Sequence, residues 1–214
     1  MKPSKVASLP TIKRLPSYLH VIEAAQRDGK AFISGTVIAE ELELESIQVR
    51  KDLSVTGIVG KPRVGYPVPE LLHAINSFLD WNRSHHAAIV GAGHLASALA
   101  GYTEFPRHGL RIVAAFDVNP DKIGTEINDV PIYPLGDFGI RSANLGIDIA
   151  ILTVPSGEAQ AVADELVACG IRAIWNFTNV KIKVPDHVVV QKEDLSSGYA
   201  VLSVKMGTLR DAVQ

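Results

Sequence analysis

The chain has 214 residues, 47% hydrophobic and 21% charged, a composition that excludes a disordered tail, a collagen-like repeat and a coiled coil. No apolar run reaches the ~18 residues of a membrane span, and the basic start MKPSKVASLPTIKR lacks the apolar stretch of a signal peptide, so no membrane partner is expected. Cys169 is the only cysteine, which rules out an internal disulfide or thiolate cluster and fits a cytoplasmic, reducing compartment.

The formal net charge of −2 hides an asymmetry. Residues 1–85 hold 11 Lys+Arg against 9 Asp+Glu, whereas residues 86–214 hold 10 against 14. Basic charge gathers at Lys2, Lys5, Lys13 and Arg14, and again at Arg50, Lys51, Lys61 and Arg63, where Asp52 is the lone acid. Such patches in a mildly acidic protein suit either a polyanion partner or a solvated surface.

In chain order, residues 11–28 read as a helix, with Leu15, Leu19, Ile22 and Ala25 near helical spacing and Gly29 as its stop. Residues 32–34 are extended, and Ser34-Gly35-Thr36 offers caps for a short helix over 37–42. After a tight connector, Ser46 is expected to cap a second helix running roughly to Thr56, with Gly57 at its end. Residues 60–69, dense in Gly and Pro, read as a hairpin or loop, and residues 70–81 as another helix.

This is the order of a winged helix-turn-helix, whose second helix enters the major groove. On that helix Val49 and Leu53 face inward, Lys51 points away, and Gln48 and Arg50 flank it. Gln bonds adenine edges, and Arg grips guanine or phosphate. The candidate nucleic-acid contacts are Ser46, Gln48, Arg50, Lys51 and Ser54 on the helix, with Lys61, Arg63 and Tyr66 in the wing. A three-helix protein-interaction module has the same pattern.

Past Asn82 the pattern changes. Residues 86–90 are an apolar strand, followed by Gly91-Ala92-Gly93-His94-Leu95-Ala96, a helix, and a second strand from 110 ending in Asp117. Asp117 lies 21 residues beyond Ala96, the spacing of a dinucleotide-binding βαβ unit. Gly91 makes the tight turn, and Gly93 lets the backbone approach a pyrophosphate at the helix N-terminus. Ala96 is small enough for helix–strand packing, and Asp117 accepts from ribose hydroxyls, favouring NAD over NADP. Another adenosine ligand such as coenzyme A fits the same unit. Further strands over 148–154, 171–177 and 188–190, with a helix over 158–169, imply a doubly wound parallel sheet. Thr153-Val154-Pro155 and Asn176-Phe177-Thr178 then converge with the glycine turn at the carboxyl ends of the strands.

Catalytic residues are hard to find. The seven histidines have no paired-ligand spacing, so no metal is expected; His85-His86 read as a surface linker, and Cys169 as core. Only about 20 residues follow 193, too few for a substrate domain. An enzyme is therefore not expected, although an NAD-dependent oxidoreductase with a small docking module remains an alternative.

Gln48-Val49-Arg50-Lys51-Asp52-Leu53-Ser54 and Val64-Gly65-Tyr66 resemble the recognition helix and wing of the Rex family of bacterial redox-sensing repressors. The glycine turn, Phe116-Asp117, Lys122-Ile123-Gly124, Leu152-Thr153-Val154-Pro155 and Asn176-Phe177 match in the same order. The resemblance implies an operator-binding homodimer with a winged-helix domain over 1–82, a Rossmann domain over 83–193 binding NAD(H), and a dimer-exchange segment over 194–214. It also implies that NADH releases the operator, and it places Tyr102, Thr153, Pro155, Phe177 and, from the partner's exchanged segment, Asp194 near the nicotinamide ring. Within this pattern Ala96 replaces a Gly, Thr178-Asn179 replace Ala-Pro, and 55–60 lack the aromatic-glycine repeats. Gly198 and Gly207 are expected to limit the C-terminal helix to about 199–206.

Overall fold

The computed structural model describes residues 7–211, so Lys2 and Lys5 lie outside the described residues. Two units emerge, residues 1–83 and 84–214. In the first, α1 (Leu9–Arg27) starts where the Ser8 hydroxyl accepts from the Thr11 amide at 3.3 Å. It buries Leu15, Tyr18, Leu19, Ile22 and Ala25, the helical period the sequence carries. After β1 (Phe32–Ile33), Ser34 caps α2 (Gly35–Glu41) by accepting from the Val37 amide at 3.1 Å.

The next helix, α3 (Ser46–Leu53), buries Val49, Asp52 and Leu53. Ser46 does not cap it: Glu45 holds the cap position without a side-chain bond, and Ser46 is already helical. The helix also ends at Leu53 instead of Thr56. The Ser54 hydroxyl donates to the Lys51 carbonyl at 2.6 Å and the Thr56 hydroxyl to the Leu53 carbonyl at 2.7 Å, tightening Ser54–Thr56 into a 3-10 turn.

In the wing, β2 (Tyr66–Pro67) pairs antiparallel with β1. Its tip is closed where the Lys61 amide donates to the Gly65 carbonyl at 2.7 Å. Gly65 has a φ of 104°, and a Cβ there would collide with the Ile33 carbonyl, so the wing lies directly on the backbone of β1. The helix α4 (Val68–Phe78) closes the core with Val68, Leu71 and Ile75.

One buried carboxylate ties this unit together. Asp52, 1% exposed, accepts from Arg14 Nε at 2.6 Å and Nη2 at 3.0 Å, Tyr18 Oη at 2.7 Å, Thr11 Oγ1 at 3.0 Å and Gln48 Nε2 at 2.8 Å. Three donor residues come from α1, so the bonds lock α3 to α1. Burial alone pushes the Asp52 carboxyl up, but the bonds from Arg14, Tyr18, Thr11 and Gln48 outweigh it and hold the group below the ordinary carboxylate range. Burial, followed by its bond to Asp52, pushes the Tyr18 phenol up to about 12.

The second unit alternates strands and helices: β3 (His85–Val90), α5 (His94–Ala100), α6 (Glu104–Arg107), β4 (Leu110–Asp117), β5 (Glu126–Ile127), β6 (Val130–Pro134), α7 (Phe138–Leu145), β7 (Ile147–Leu152), α8 (Ala159–Ala168), β8 (Ala173–Asn176) and β9 (Val189–Lys192). The sheet order is β5-β6-β4-β3-β7-β8-β9, parallel throughout except for the β5–β6 hairpin. Alternate residues of β3 feed opposite layers: Ala88 and Val90 pack with Phe116, Phe138 and Leu166, whereas Ala87 and Ile89 pack with Ala96, Ala115 and Ile132. The chain turns to opposite sides of β3 to form β4 and β7, which makes the carboxyl end of β3 the topological switch point.

Three expectations are corrected here. His85 and His86 lie within β3, and His86 Nδ1 meets the Leu145 carbonyl at 2.8 Å. Cys169 is exposed, because it sits one residue past the end of α8, beyond the last buried position, Leu166. The C-terminal helix α9 (Leu195–Asp211) runs through both Gly198 and Gly207. All of residues 195–206 on it are exposed, Leu195, Tyr199, Leu202 and Val204 among them. No helix among the described residues is long and apolar enough to cross a membrane.

Replacing the Asp52 carboxylate with an amide places an NH₂ donor among the donors of Arg14, Thr11, Tyr18 and Gln48. Asp52→Asn is expected to destabilise the first unit by about 2–4 kcal/mol, read by calorimetric melting of the full chain. Because the folded carboxyl titrates below its ordinary value of 3.8, its stabilisation is complete above that pH and is lost as pH falls through the lower folded value. The variant therefore lacks that part of the acid destabilisation of the wild type. At the alkaline end stability falls as pH rises from 10.0, where unfolded tyrosine ionises, towards the folded Tyr18 value near 12.

Candidate nucleotide cleft and nucleic-acid interface

The parallel register sets Val90, Phe116 and Leu152 side by side, with Asn176 opposite Leu152. The next residue on each strand therefore emerges at one edge: Gly91, Asp117, Thr153 and Phe177, except that Asp117 is still the last residue of β4. The edge is stitched by the Gly91 amide donating to the Phe116 carbonyl at 2.8 Å, the Thr153 amide to Val90 at 2.9 Å and the Phe177 amide to Leu152 at 3.0 Å. The Thr153 hydroxyl adds a bond to the Gly91 carbonyl at 2.8 Å.

The two turn glycines differ. Gly91 has a φ of 99°, and a Cβ there would stand 3.0 Å from the backbone of Thr153 and Val154. Gly93 has an ordinary φ of −93°, and a Cβ there would meet nothing within 4 Å. Gly91 answers to the fold, and Gly93 keeps the space before α5 open.

A cleft opens above this edge, lined by Gly91, Gly93, Asp117, Thr153, Val154 and Pro155 of the expected set. Val118, Lys122, Leu135 and Glu158 also line it and were not foreseen. Lys122 carried a readable signal, since it follows Asp117 by five residues across the Asn119-Pro120 turn. Leu135 and Glu158 carried none, being brought in by the sheet.

Asp117, 9% exposed, accepts from the Ala92 amide at 2.7 Å, the Asn119 amide at 2.8 Å and Lys122 Nζ at 3.1 Å. Burial raises its carboxyl, but the bonds from Asn119, Lys122 and Ala92 outweigh that and keep it below the ordinary range, so it is an anion at neutral pH. These donors fill three of its roughly four acceptor positions, leaving one on Oδ1. Ala92 and Ala96 are buried packing positions, Leu95 is half-buried and His94 is exposed at the start of α5.

Asn176 is not presented to the cleft. It is fully buried, with Nδ2 donating to the Val180 carbonyl at 2.9 Å and Oδ1 accepting from the Thr178 amide at 2.8 Å and hydroxyl at 2.7 Å. It shapes the loop that carries Phe177. Tyr102 lies beside a separate hollow with Phe105, Leu110 and Asn128, after the end of α5. A run of aromatic rings nevertheless links it to the edge: Tyr102–Phe105 at 4.7 Å, Phe105–Trp175 at 5.5 Å and Trp175–Phe177 at 5.0 Å.

In the first unit a groove between the start of α2, α3 and the wing gathers Arg50, Lys61, Arg63 and Tyr66. Arg50, Lys51, Lys61 and Arg63 are exposed. The Arg50 stem lies against Gly35, where a Cβ would stand 3.3 Å from its Cγ, and Lys61 Nζ sits 5.1 Å above the Phe32 ring. Arg63 holds the wing tip at a φ of 60°. Two expected contacts point elsewhere. The Gln48 amide is committed to Asp52, which needs a fourth donor residue, and the Tyr66 ring is half-buried over Gly60, where a Cβ would lie 3.0 Å away. Ser46 is half-buried, and the exposed Ser54 spends its hydroxyl on Lys51. Ile47, 74% exposed on α3, was not anticipated because an apolar residue carries no polar signal.

Two family models match in sequence: the DNA-binding protein N-terminus over residues 7–54 and the CoA binding domain over residues 82–180. The chain is 56% identical to the redox-sensing transcriptional repressor Rex of Treponema denticola, over 97% of this chain and 99% of that one. It is 41% identical to Rex of Bacteroides fragilis, covering 90% and 88%. Among solved structures, RSP in complex with β-NAD+ and operator DNA superposes with a TM-score of 0.88 at 33% identity, covering 96% of this chain and 95% of RSP. RSP with β-NADH gives 0.86 at 32% identity, covering 98% and 100%. With relatives this similar along nearly the whole length of both units, the chain belongs to the Rex family of redox-sensing transcriptional repressors.

Proposed function

We propose that this chain is a DNA-binding transcriptional repressor that senses the NADH/NAD+ ratio and leaves its operator when NADH is bound. The observation that carries this reading is the pairing, in one chain, of a basic helix-and-wing groove with a glycine-turn cleft. Solved relatives of matching fold hold operator DNA with NAD+ and, separately, NADH. In the cleft, the open space at Gly93 admits the pyrophosphate, and the free acceptor position of Asp117 takes a ribose hydroxyl. Val118, Leu135 and Val154 offer the adenine an apolar slot. The residues present thus fit the adenosine half of a dinucleotide. A bound dinucleotide supplies a ring that changes charge on reduction, and no residue of the chain is assigned a catalytic role.

On the other unit, Arg50, Lys51, Lys61 and Arg63 serve phosphates and base edges, and Ile47 offers an apolar face to a thymine methyl. The exposed apolar face of α9 makes a homodimer the form that binds two operator half-sites. The cytoplasm is the compartment in which such a repressor meets both DNA and the NAD(H) pool.

Operator affinity is expected to be lower with saturating NADH than with saturating NAD+ by about 5–150-fold, measured by fluorescence anisotropy with occupancy confirmed separately. Equal affinities at full occupancy count against redox sensing and turn attention to coenzyme A.

The same assay tests the DNA face. With roughly 6–10 phosphate contacts, affinity falls about 10³–10⁵-fold between about 50 and 200 mM salt, and Lys51→Ala costs about 1–3 kcal/mol. Salt-independent binding contradicts the assignment.

The two glycines separate fold from ligand. Gly93→Val is expected to melt like the wild type yet lose NADH binding, because its side chain enters open space that the pyrophosphate needs. Gly91→Ala is expected to lose about 1–3 kcal/mol of stability from backbone strain alone.

A further inference from the structure

Arg50, Lys61 and Arg63 share the groove between the start of α2, α3 and the wing, and among the described residues no acid lines it. The floor of that groove is Gly35, the first residue of α2, which is buried. A Cβ on Gly35 would stand 3.3 Å from Arg50 Cγ and 3.9 Å from Arg50 Nε. The contact therefore follows the arginine side chain from its stem towards its charged end.

Neither backbone is free to withdraw and make room. The first turn of α2 is fixed by Ser34, whose hydroxyl accepts from the Val37 amide at 3.1 Å and whose carbonyl accepts from the Ile38 amide at 3.3 Å. The helix α3 is fixed by Val49 and Leu53 in the core and by the bonds of Asp52 to α1. Nor does the chain need a glycine at 35 for its conformation. Gly35 is not among the residues of positive φ, and a helix forms more readily with alanine than with glycine. What the glycine supplies is space, and the Arg50 stem fills it.

We propose that Gly35 is a positioning residue for DNA recognition: by carrying no side chain it lets Arg50 lie along the first turn of α2, and so sets the direction in which the guanidinium leaves α3. This rests on the operator-binding reading above. A guanidinium grips guanine or phosphate through paired N–H donors, whose planar geometry tolerates little misdirection. A stem already packed against a fixed backbone also loses less rotamer freedom on binding than one free in solvent. A methyl group at 35 pushes the stem off its resting rotamer, and the displacement carries along the side chain to the guanidinium. Gly35 thus serves recognition through Arg50 alone.

The test uses the full-length protein with saturating NAD+ and fluorescence anisotropy at about 50 mM salt. The probe is a labelled duplex selected by the wild-type protein from random-sequence DNA. Wild type, Gly35→Ala, Arg50→Ala and the double variant are compared, with the melting temperature of each recorded. Gly35→Ala is expected to melt no lower than the wild type yet bind the duplex about twofold to tenfold more weakly, the cost of holding a side chain off its rotamer. In the Arg50→Ala background the same substitution is expected to cost nothing further, because the side chain it displaces is gone. Unchanged or tighter binding by Gly35→Ala overturns the proposal. So does a loss of equal size with and without Arg50, which would trace the effect to α2 itself. A wild-type protein that selects no duplex is a different failure, removing the operator-binding reading and the proposal with it.

Discussion

A carboxylate withdrawn from water must be surrounded by donors, and each unit of this protein is organised around one such group. Asp52 draws donors from α1 and α3, so the helix that carries Arg50 and Lys51 is held by its own fourth turn-mate, Gln48, and by three side chains of α1. Asp117 collects the amide of the glycine turn, the amide of Asn119 and the ammonium of Lys122. In both cases leaving the charge unpaired costs far more than the pairing gains over water. The interaction therefore specifies geometry more than it adds stability. In the first unit the exposed cations of α3 are placed by an acid buried behind them, whereas Asp117 itself lines the cleft.

The parallel sheet does the remaining placement. Once β3 pairs with β4 and β7, the register brings the ends of the three strands level, and the backbone bonds of Gly91, Thr153 and Phe177 follow. The same register explains why the cleft is walled within one chain, by Val118 and Leu135 on one flank and Val154 on the other. The turn after β8, which carries Phe177, lies outside that lining and is shaped by its own bonds. Loops hold their shape through local side-chain bonds, and the Asn176–Thr178 pair is such a device.

Much of this was legible in the residues. The period of Leu15, Leu19, Ile22 and Ala25 and the glycine turn with its distant acid follow from rules that act locally. Tertiary partners overrode local preference elsewhere. Gln48 looks like a base-reading side chain until Asp52 needs a donor, and Asn176 looks like a ligand contact until its loop must close on Val180. Ser46 is a favoured cap residue, yet the helix begins one position earlier. The β5–β6 hairpin and α7 went unread because strands of two and five residues and a helix of eight residues give too short a pattern. The glycines of α9 weaken a helix by propensity but do not end it.

The aromatic run through the sheet edge has an optical consequence. Trp175 stands on β8, paired with Ile151 of β7, the strand between it and the β3 glycine turn that opens the cleft, and its ring centroid lies 5.0 Å from that of Phe177. Tryptophan emission overlaps the absorption band that nicotinamide possesses only when reduced. Excited-state energy then passes from the indole to dihydronicotinamide and has no such acceptor in the oxidised ring. The protein carries a built-in emitter whose brightness follows the oxidation state of its own ligand, so the population of each liganded form can be followed without attaching a dye.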